Sequence, residues 1–179
     1  MTEFMERNLV PLLKAIFFEP EWDDSVEQTA RRVIEYWKEY AGLGDPPKVT
    51  VFQSVDHQLV VVRDIEFSSI CGHHLLPFLG TASIGYFPNE EMIGLSKIPR
   101  IVDYFARRPQ MQERMTRQIA SFLKENIKPL GVAVVLRAQH TCMACRGVHK
   151  FRGQMVTSEM RGVFRTSSEA RNEFLEMIR

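Results

Sequence analysis

Soft metal ligands are scarce in this sequence, with three cysteines and five histidines among 179 residues. An odd cysteine count without disulfide-framework spacing points to a reducing compartment, where thiols serve metals or catalysis. Net charge is nearly absent too. A formal +1 argues against nucleic-acid binding by bulk electrostatics and leaves room only for a local basic pocket. Long apolar runs are missing: none approaches the roughly 20 residues that a membrane span needs. Met1-Thr2-Glu3-Phe4-Met5-Glu6 carries acids where a signal peptide carries lysines, so the expected location is the cytoplasm, with no membrane partner. No internal repeat or low-complexity segment occurs. With 45% apolar and 25% charged residues, the composition is that of a globular protein, expected to form one domain over residues 1–179.

The few soft ligands are not scattered. All three cysteines and three of the histidines fall within Cys71-Gly72-His73-His74 and His140-Thr141-Cys142-Met143-Ala144-Cys145. Zinc takes three or four N and S ligands in a tetrahedron and keeps one position open when it does chemistry. On a regular strand, adjacent His73 and His74 point to opposite sides. Either one binds metal and its neighbour points elsewhere, or the backbone turns there. A lone cysteine is ordinarily a small buried hydrophobe, but Cys71 and Cys142 each sit within three residues of a histidine, which favours a catalytic zinc centre. Cys145 forms a Cys-x-x-Cys pair with Cys142 and reads as a redox partner, a fourth ligand or a spare thiol. A histidine beside a ligand but not binding suits general acid–base work, which is open to His73 and His140. The alternative for each is a hydrogen bond that orients a ligand.

Along the chain, Phe4, Leu9, Leu12, Leu13, Ile16 and Phe17 predict an amphipathic helix over 3–18, ended by Glu19-Pro20-Glu21. Asp24-Ser25 with Glu27 marks a second helix that closes near Gly42-Leu43-Gly44. Asp45-Pro46-Pro47 is the one persuasive boundary, separating an N-terminal helical region, 1–45, from a core over 48–165. Within the core, β-branched runs at Val49–Val51 and Leu59–Phe67 predict two strands with Asp56-His57 as a turn between them. A third strand spans Gly80–Phe87. Helices follow at Ile98–Arg107 and after Pro109, the second with an apolar stripe of Met111, Met115, Ile119, Phe122 and Leu123. Val132–Leu136 reads as a buried strand, and Val148–Phe164 as a last one interrupted at Arg152-Gly153. Ser168 caps a C-terminal helix over 167–179. Strand, strand, helix, helix, strand, strand is an α+β order rather than a doubly wound one. Both metal windows lie at strand ends.

A third group is polar. Ser96, Lys97 and Arg100 open one helix, and Arg146 follows the second window. Cations beside a helix N-terminus suit a phosphate chain, whereas lysine and arginine ordinarily make a solvated face. Glu113, beside Gln112, could accept two hydrogen bonds from a guanidine-like edge or simply be an exposed helical acid.

Cys71-Gly72-His73-His74-Leu75-Leu76-Pro77-Phe78 resembles the first signature of GTP cyclohydrolase I. The similarity continues through Gly94-Leu95-Ser96-Lys97-Ile98-Pro99-Arg100 and Phe105-Ala106-Arg107-Arg108-Pro109-Gln110-Met111-Gln112-Glu113-Arg114. It then runs through Gly131–Val135, His140–Val148 and Thr157-Ser158, covering about residues 60–165 in the family's order. The resemblance implies a tunnelling fold: an antiparallel four-stranded sheet with two helices on one face, preceded by N-terminal helices. It implies a homodecamer of two pentamers joined sheet to sheet, with active sites between subunits. The implied reaction converts GTP to 7,8-dihydroneopterin triphosphate and formate. Zinc would be held by Cys71, His74 and Cys142. His73 would protonate purine nitrogen 7, and His140 would assist water and later proton transfers. Glu113 with Gln112 would read the guanine edge, while Ser96, Lys97, Arg100, Arg146 and Lys48 would hold the triphosphate.

Three features depart from the family pattern: Gly72 stands where most members carry Glu, Cys145 is unusual, and the N-terminal region is short. Gly72 keeps a second reading open, a divergent purine-nucleotide cyclohydrolase that stops at imidazole ring opening or takes a related nucleotide. A catalytically dead assembly protein is a third, disfavoured by His73, His140, Glu113 and the cations occurring together.

Overall fold

The computed structural model describes residues 2–17, 25–54 and 56–179. Backbone contacts divide the chain into two compact units, residues 1–41 and 42–179, the break falling just ahead of the Asp45-Pro46-Pro47 breaker. The first unit is a helix pair, α1 (Thr2–Ile16) and α2 (Val26–Glu39). α1 ends two residues short of the expected limit and carries Pro11 in its interior, where the ring removes a backbone donor. The expected stop at Glu19–Glu21 and the start at Asp24 lie outside the described residues, but Ser25 does cap α2, accepting from the Gln28 N–H. Lys14–Glu27, at 2.9 Å, ties the two helices.

The second unit is built on one sheet. β2 (Val60–Cys71), β3 (Pro77–Phe87), β6 (Gly131–His140) and β7 (Met155–Gly162) lie side by side in that order, each antiparallel to the next. This is the expected four-stranded antiparallel sheet, with one addition: β5 (Pro109–Gln110) pairs parallel to the end of β2, Cys71 opposite Gln110. A second difference concerns β1 (Val51–Gln53). It pairs not with β2 across Asp56-His57 but with β4 (Glu91–Ile93), making a separate two-stranded ribbon. The last strand is shorter than expected because residues 145–154 form turns, and β7 starts only at Met155.

Helices α3 (Lys97–Ala106) and α4 (Gln112–Ile127) cover one face of the sheet. Ile98, Ile101, Phe105, Met115, Ile119 and Leu123 meet Phe67, Phe78, Ala82, Ile84 and Leu136 in the main core. Apolar side chains removed from water at about 25 cal/mol per Å² hold the layers together. One-turn helices α5 (Thr141–Ala144) and α6 (Val163–Thr166) follow β6 and β7. The last helix, α7 (Ser168–Met177), crosses to the opposite face, where Phe174 and Ile178 pack on Ala133 and Val135. Its cap is Ser167, not Ser168. Gly85 makes that crossing possible, since a Cβ there would lie 2.6 Å from the Phe174 ring.

Candidate metal centre and active site

The register of the sheet brings the two metal windows together. Cys71 ends β2 and His140 ends β6. Between them runs β3, with Ile70 opposite Pro77 and Phe78 opposite His140. α5 starts at once and carries Cys142, anchored by the Thr141 hydroxyl donating to Pro77 O at 2.6 Å. One ligand atom from each of Cys71, His140 and Cys142 lies within 4.8 Å of the other two.

After Cys71 the backbone turns. The Cys71 N–H donates to Leu76 O at 2.8 Å, the Leu75 N–H to Cys71 O at 2.9 Å, and Leu75 takes a φ of 53°. His73 and His74 therefore do not alternate across a strand, and both rings approach the same thiol. Nδ1 of His73 and of His74 lie 3.9 and 3.7 Å from Cys71 Sγ. Two ligands of one tetrahedral zinc, with Zn–S about 2.3 Å and Zn–N about 2.0 Å, are separated by about 3.5 Å. His74 and Cys71 already stand near that spacing, although His74 is outside the three-residue cluster. Gly72 takes no special conformation: its Cβ would meet Gln110 O at 3.5 Å, an ordinary contact. The carboxylate missing at this position is thus a chemical difference and not a steric necessity.

The β6 window is held more firmly. The His140 ring stacks on Phe78, centroids 4.4 Å apart and planes 5° from parallel. His140 Nε2 lies 2.9 Å from Gln112 Oε1. Burial lowers the His140 pKa below its ordinary value, opposed by the charge of Glu113. Burial also raises the Cys142 thiol, and neighbouring Cys71 raises it further, against a smaller pull from Arg146. The ionisation of Cys142 disfavoured beside Cys71 is what a divalent cation between the two sulfurs would reverse, so this donor set fits a metal.

The remaining site residues fall in three places. Glu113 is exposed on the first turn of α4, near enough for its charge to act on His140. Gln112, expected to face the guanine edge, is instead 1% exposed with its amide spent on protein groups. Arg146 is exposed just beyond Cys142, and Cys145 is exposed at the end of α5, outside the ligand cluster. Ser96, Lys97 and Arg100 stand at the other end of α3: its last residue, Ala106, accepts from Ser69 near Cys71, at 2.8 Å. A ten-residue helix is about 15 Å long, so Lys97 stands about that far, and Arg100 about 9 Å, from the Ala106 end that Ser69 holds. Arg100 lines a cleft with Asp45, Pro47 and Tyr104 there, and Lys48 is exposed ahead of β1. Phe78 supports His140 directly and Thr157 does so through Gln112; both lie inside the segments that resemble the family, with no local signal of that task.

The sequence model of the GTP cyclohydrolase I family matches residues 5–179. Among similar proteins, GTP cyclohydrolase 1 of Thermobifida fusca is 44% identical over 179 residues, covering 97% of this chain and 86% of that protein. GTP cyclohydrolase 1 of Leptospira biflexa is 53% identical over 129 residues, covering 72% and 70%. That of Thermoanaerobacter pseudethanolicus is 42% identical over 180 residues, covering 98% and 96%. Among solved structures, the apo form of the archaeosine synthase QueF-Like superposes with a TM-score of 0.50 at 15% identity. It covers 61% of this chain and 97% of that one, a likeness of fold alone.

Proposed function

This chain belongs to the GTP cyclohydrolase I family, a family of hydrolases with the tunnelling fold, and on that premise we propose that it converts GTP to 7,8-dihydroneopterin triphosphate and formate. The observation that carries the reading is the meeting of two distant strand ends, where Cys71, His140 and Cys142 converge with His73 and His74 alongside. We assign Cys71, Cys142 and His74 as the ligands of one zinc ion. Zinc held there supplies Lewis acidity and makes water at the site more acidic.

The chain's own residues do the rest. His73, on an exposed turn beside the cluster, protonates purine nitrogen 7, which makes carbon 8 electrophilic. His140, half-buried and with its pKa held down, is a base toward the attacking water and then returns the proton. Glu113 accepts from the guanine edge. Adenine would leave that carboxylate unpaired, which is the basis for rejecting it. Arg146 and the cations of α3 with Lys48 neutralise the triphosphate and hold the base in position.

The placing of Lys97 and Arg100 on the first turn of α3, away from its Ala106 end, supports an active site completed by a second copy, whose α3 would bring its cations to this cluster. The sheet offers the means: among the described residues, β7 has an open outer edge and β2 is covered only along the two residues of β5. Such edges join to other strands. The assembly we propose is a decamer of two pentamers, located in the cytoplasm, where the thiols stay reduced. The test is purified zinc-loaded protein with GTP, following formate and the pterin chromophore together. Equal yields of both support the reading. Formate without pterin would establish the ring-opening alternative that Gly72 raises, and neither product would overturn both.

A further inference from the structure

Gln112 opens α4 and is the buried residue closest in sequence to the exposed Glu113. Its amide has a fixed sense. Nε2 faces Leu136 O at 3.2 Å, Met155 O at 3.0 Å and Thr157 Oγ1 at 3.1 Å. Two of those partners are carbonyl oxygens, which only accept, so the amide nitrogen must be the atom that faces them. Oε1 is thereby left toward His140 Nε2, at 2.9 Å. An amide oxygen only accepts as well, so Nε2 must carry the hydrogen, and Nδ1 is left with the ring's one lone pair.

The hydroxyls behind the amide agree with that sense. The Thr116 hydroxyl donates to Gln112 O at 2.7 Å and lies 2.7 Å from the Thr157 hydroxyl. With Thr116 already donating to the carbonyl, Thr157 donates to Thr116 and accepts from the Gln112 amide. Each hydroxyl hydrogen has one place, and the two amide hydrogens are shared among three acceptors.

We propose that Gln112 is a positioning residue: it does not read the purine but locks His140 as the Nε2–H tautomer, so that Nδ1 is the only nitrogen the ring presents for binding or proton transfer. Phe78 sets the plane of the ring by stacking and Gln112 sets its tautomer. The inference deepens the cyclohydrolase reading and rests on it for its kinetic arm alone.

The test has two arms. In metal-free protein labelled with 15N-histidine, magic-angle-spinning NMR reads the tautomer directly, with His140 assigned through a His140→Asn variant. Wild type is expected to show Nε2–H. Gln112→Met, of similar volume but without the acceptor, loses that preference, and Gln112→Glu, which keeps an acceptor, retains it. An Nδ1–H ring in wild type, or an unchanged tautomer in Gln112→Met, overturns the proposal.

In the kinetic arm, Gln112→Met lowers kcat roughly 10- to 100-fold, as loss of an outer hydrogen-bond partner does, with KM for GTP within about twofold. Thr157→Val, which removes one anchor of the amide and disturbs folding less, gives the same pattern more weakly. A raised KM at unchanged kcat would make Gln112 a purine reader and overturn the assignment. If wild type itself fails to turn over GTP, the cyclohydrolase reading falls while the NMR result still decides the tautomer.

Discussion

Beyond the end of β2 two histidines sit on an exposed turn, while at the end of β6 His140 is tied to the core. His73 and His74 are exposed, and their Nδ1 atoms meet Cys71 Sγ at 3.9 and 3.7 Å. His140 is stacked on a fully buried Phe78 and bonded to a buried glutamine that is itself held by two strands. The difference matches the tasks proposed for these side chains. A base toward water whose geometry must not drift, His140, is fixed before substrate arrives, as preorganised catalysis requires. His74, proposed to close on an ion, can be left on a turn because the ion supplies the organising energy, and His73 beside it is left open to the substrate.

The hardest blow to this contrast is Cys142→Ala, which removes the ligand joining the two windows. Zinc content by mass spectrometry should fall to background and GTP turnover by at least about 10⁴-fold, the scale of losing a member of a concerted constellation, while circular dichroism stays native. Normal zinc content would contradict the ligand assignment. Next come the two proton carriers. His73→Ala and His140→Ala should each keep zinc and lose roughly 10²- to 10⁴-fold in kcat. Zinc loss in His140→Ala but not in His74→Ala would instead make His140 the third ligand, the role its place in the cluster also permits.

Phe78→Leu probes the wired side through packing alone. Removing the stack costs about 1 kcal/mol of stability beyond the change in burial and lowers kcat without altering zinc content. Denaturant midpoints and steady-state rates check it. The smallest effect is expected from Gly72→Glu on the open side. The added Cβ makes ordinary contacts, so stability should move by no more than about 0.5 kcal/mol. Any change should appear in product ratio or nucleotide preference, read by the pterin-to-formate yield.

The long strands and helices were legible because their apolar periodicity extends over eight or more residues. β5 and the β1–β4 ribbon were not: two or three residues carry no period, and their partners are distant in sequence. The turn after Cys71 was foreseen only as one of two alternatives. The crossing of α7 to the far face had a signal in Gly85, whose bare Cα admits Phe174. Candidate ligand types are readable from clustering alone, whereas the burial of Gln112 is masked by its exposed neighbour Glu113. Its spacing from Met115 and Ile119, three and seven residues on, places it on the buried stripe of α4. A polar residue on such a stripe must be bonded inside the protein.

That two strand ends share one zinc can be measured at the metal itself. X-ray absorption at the zinc edge of the purified protein should give one ion per chain with two sulfur neighbours at about 2.3 Å and the remaining neighbours nitrogen or oxygen at about 2.0 Å. A sulfur-free shell, or a single sulfur, would mean that Cys71 and Cys142 do not hold the same ion, and the proposed site would be wrong.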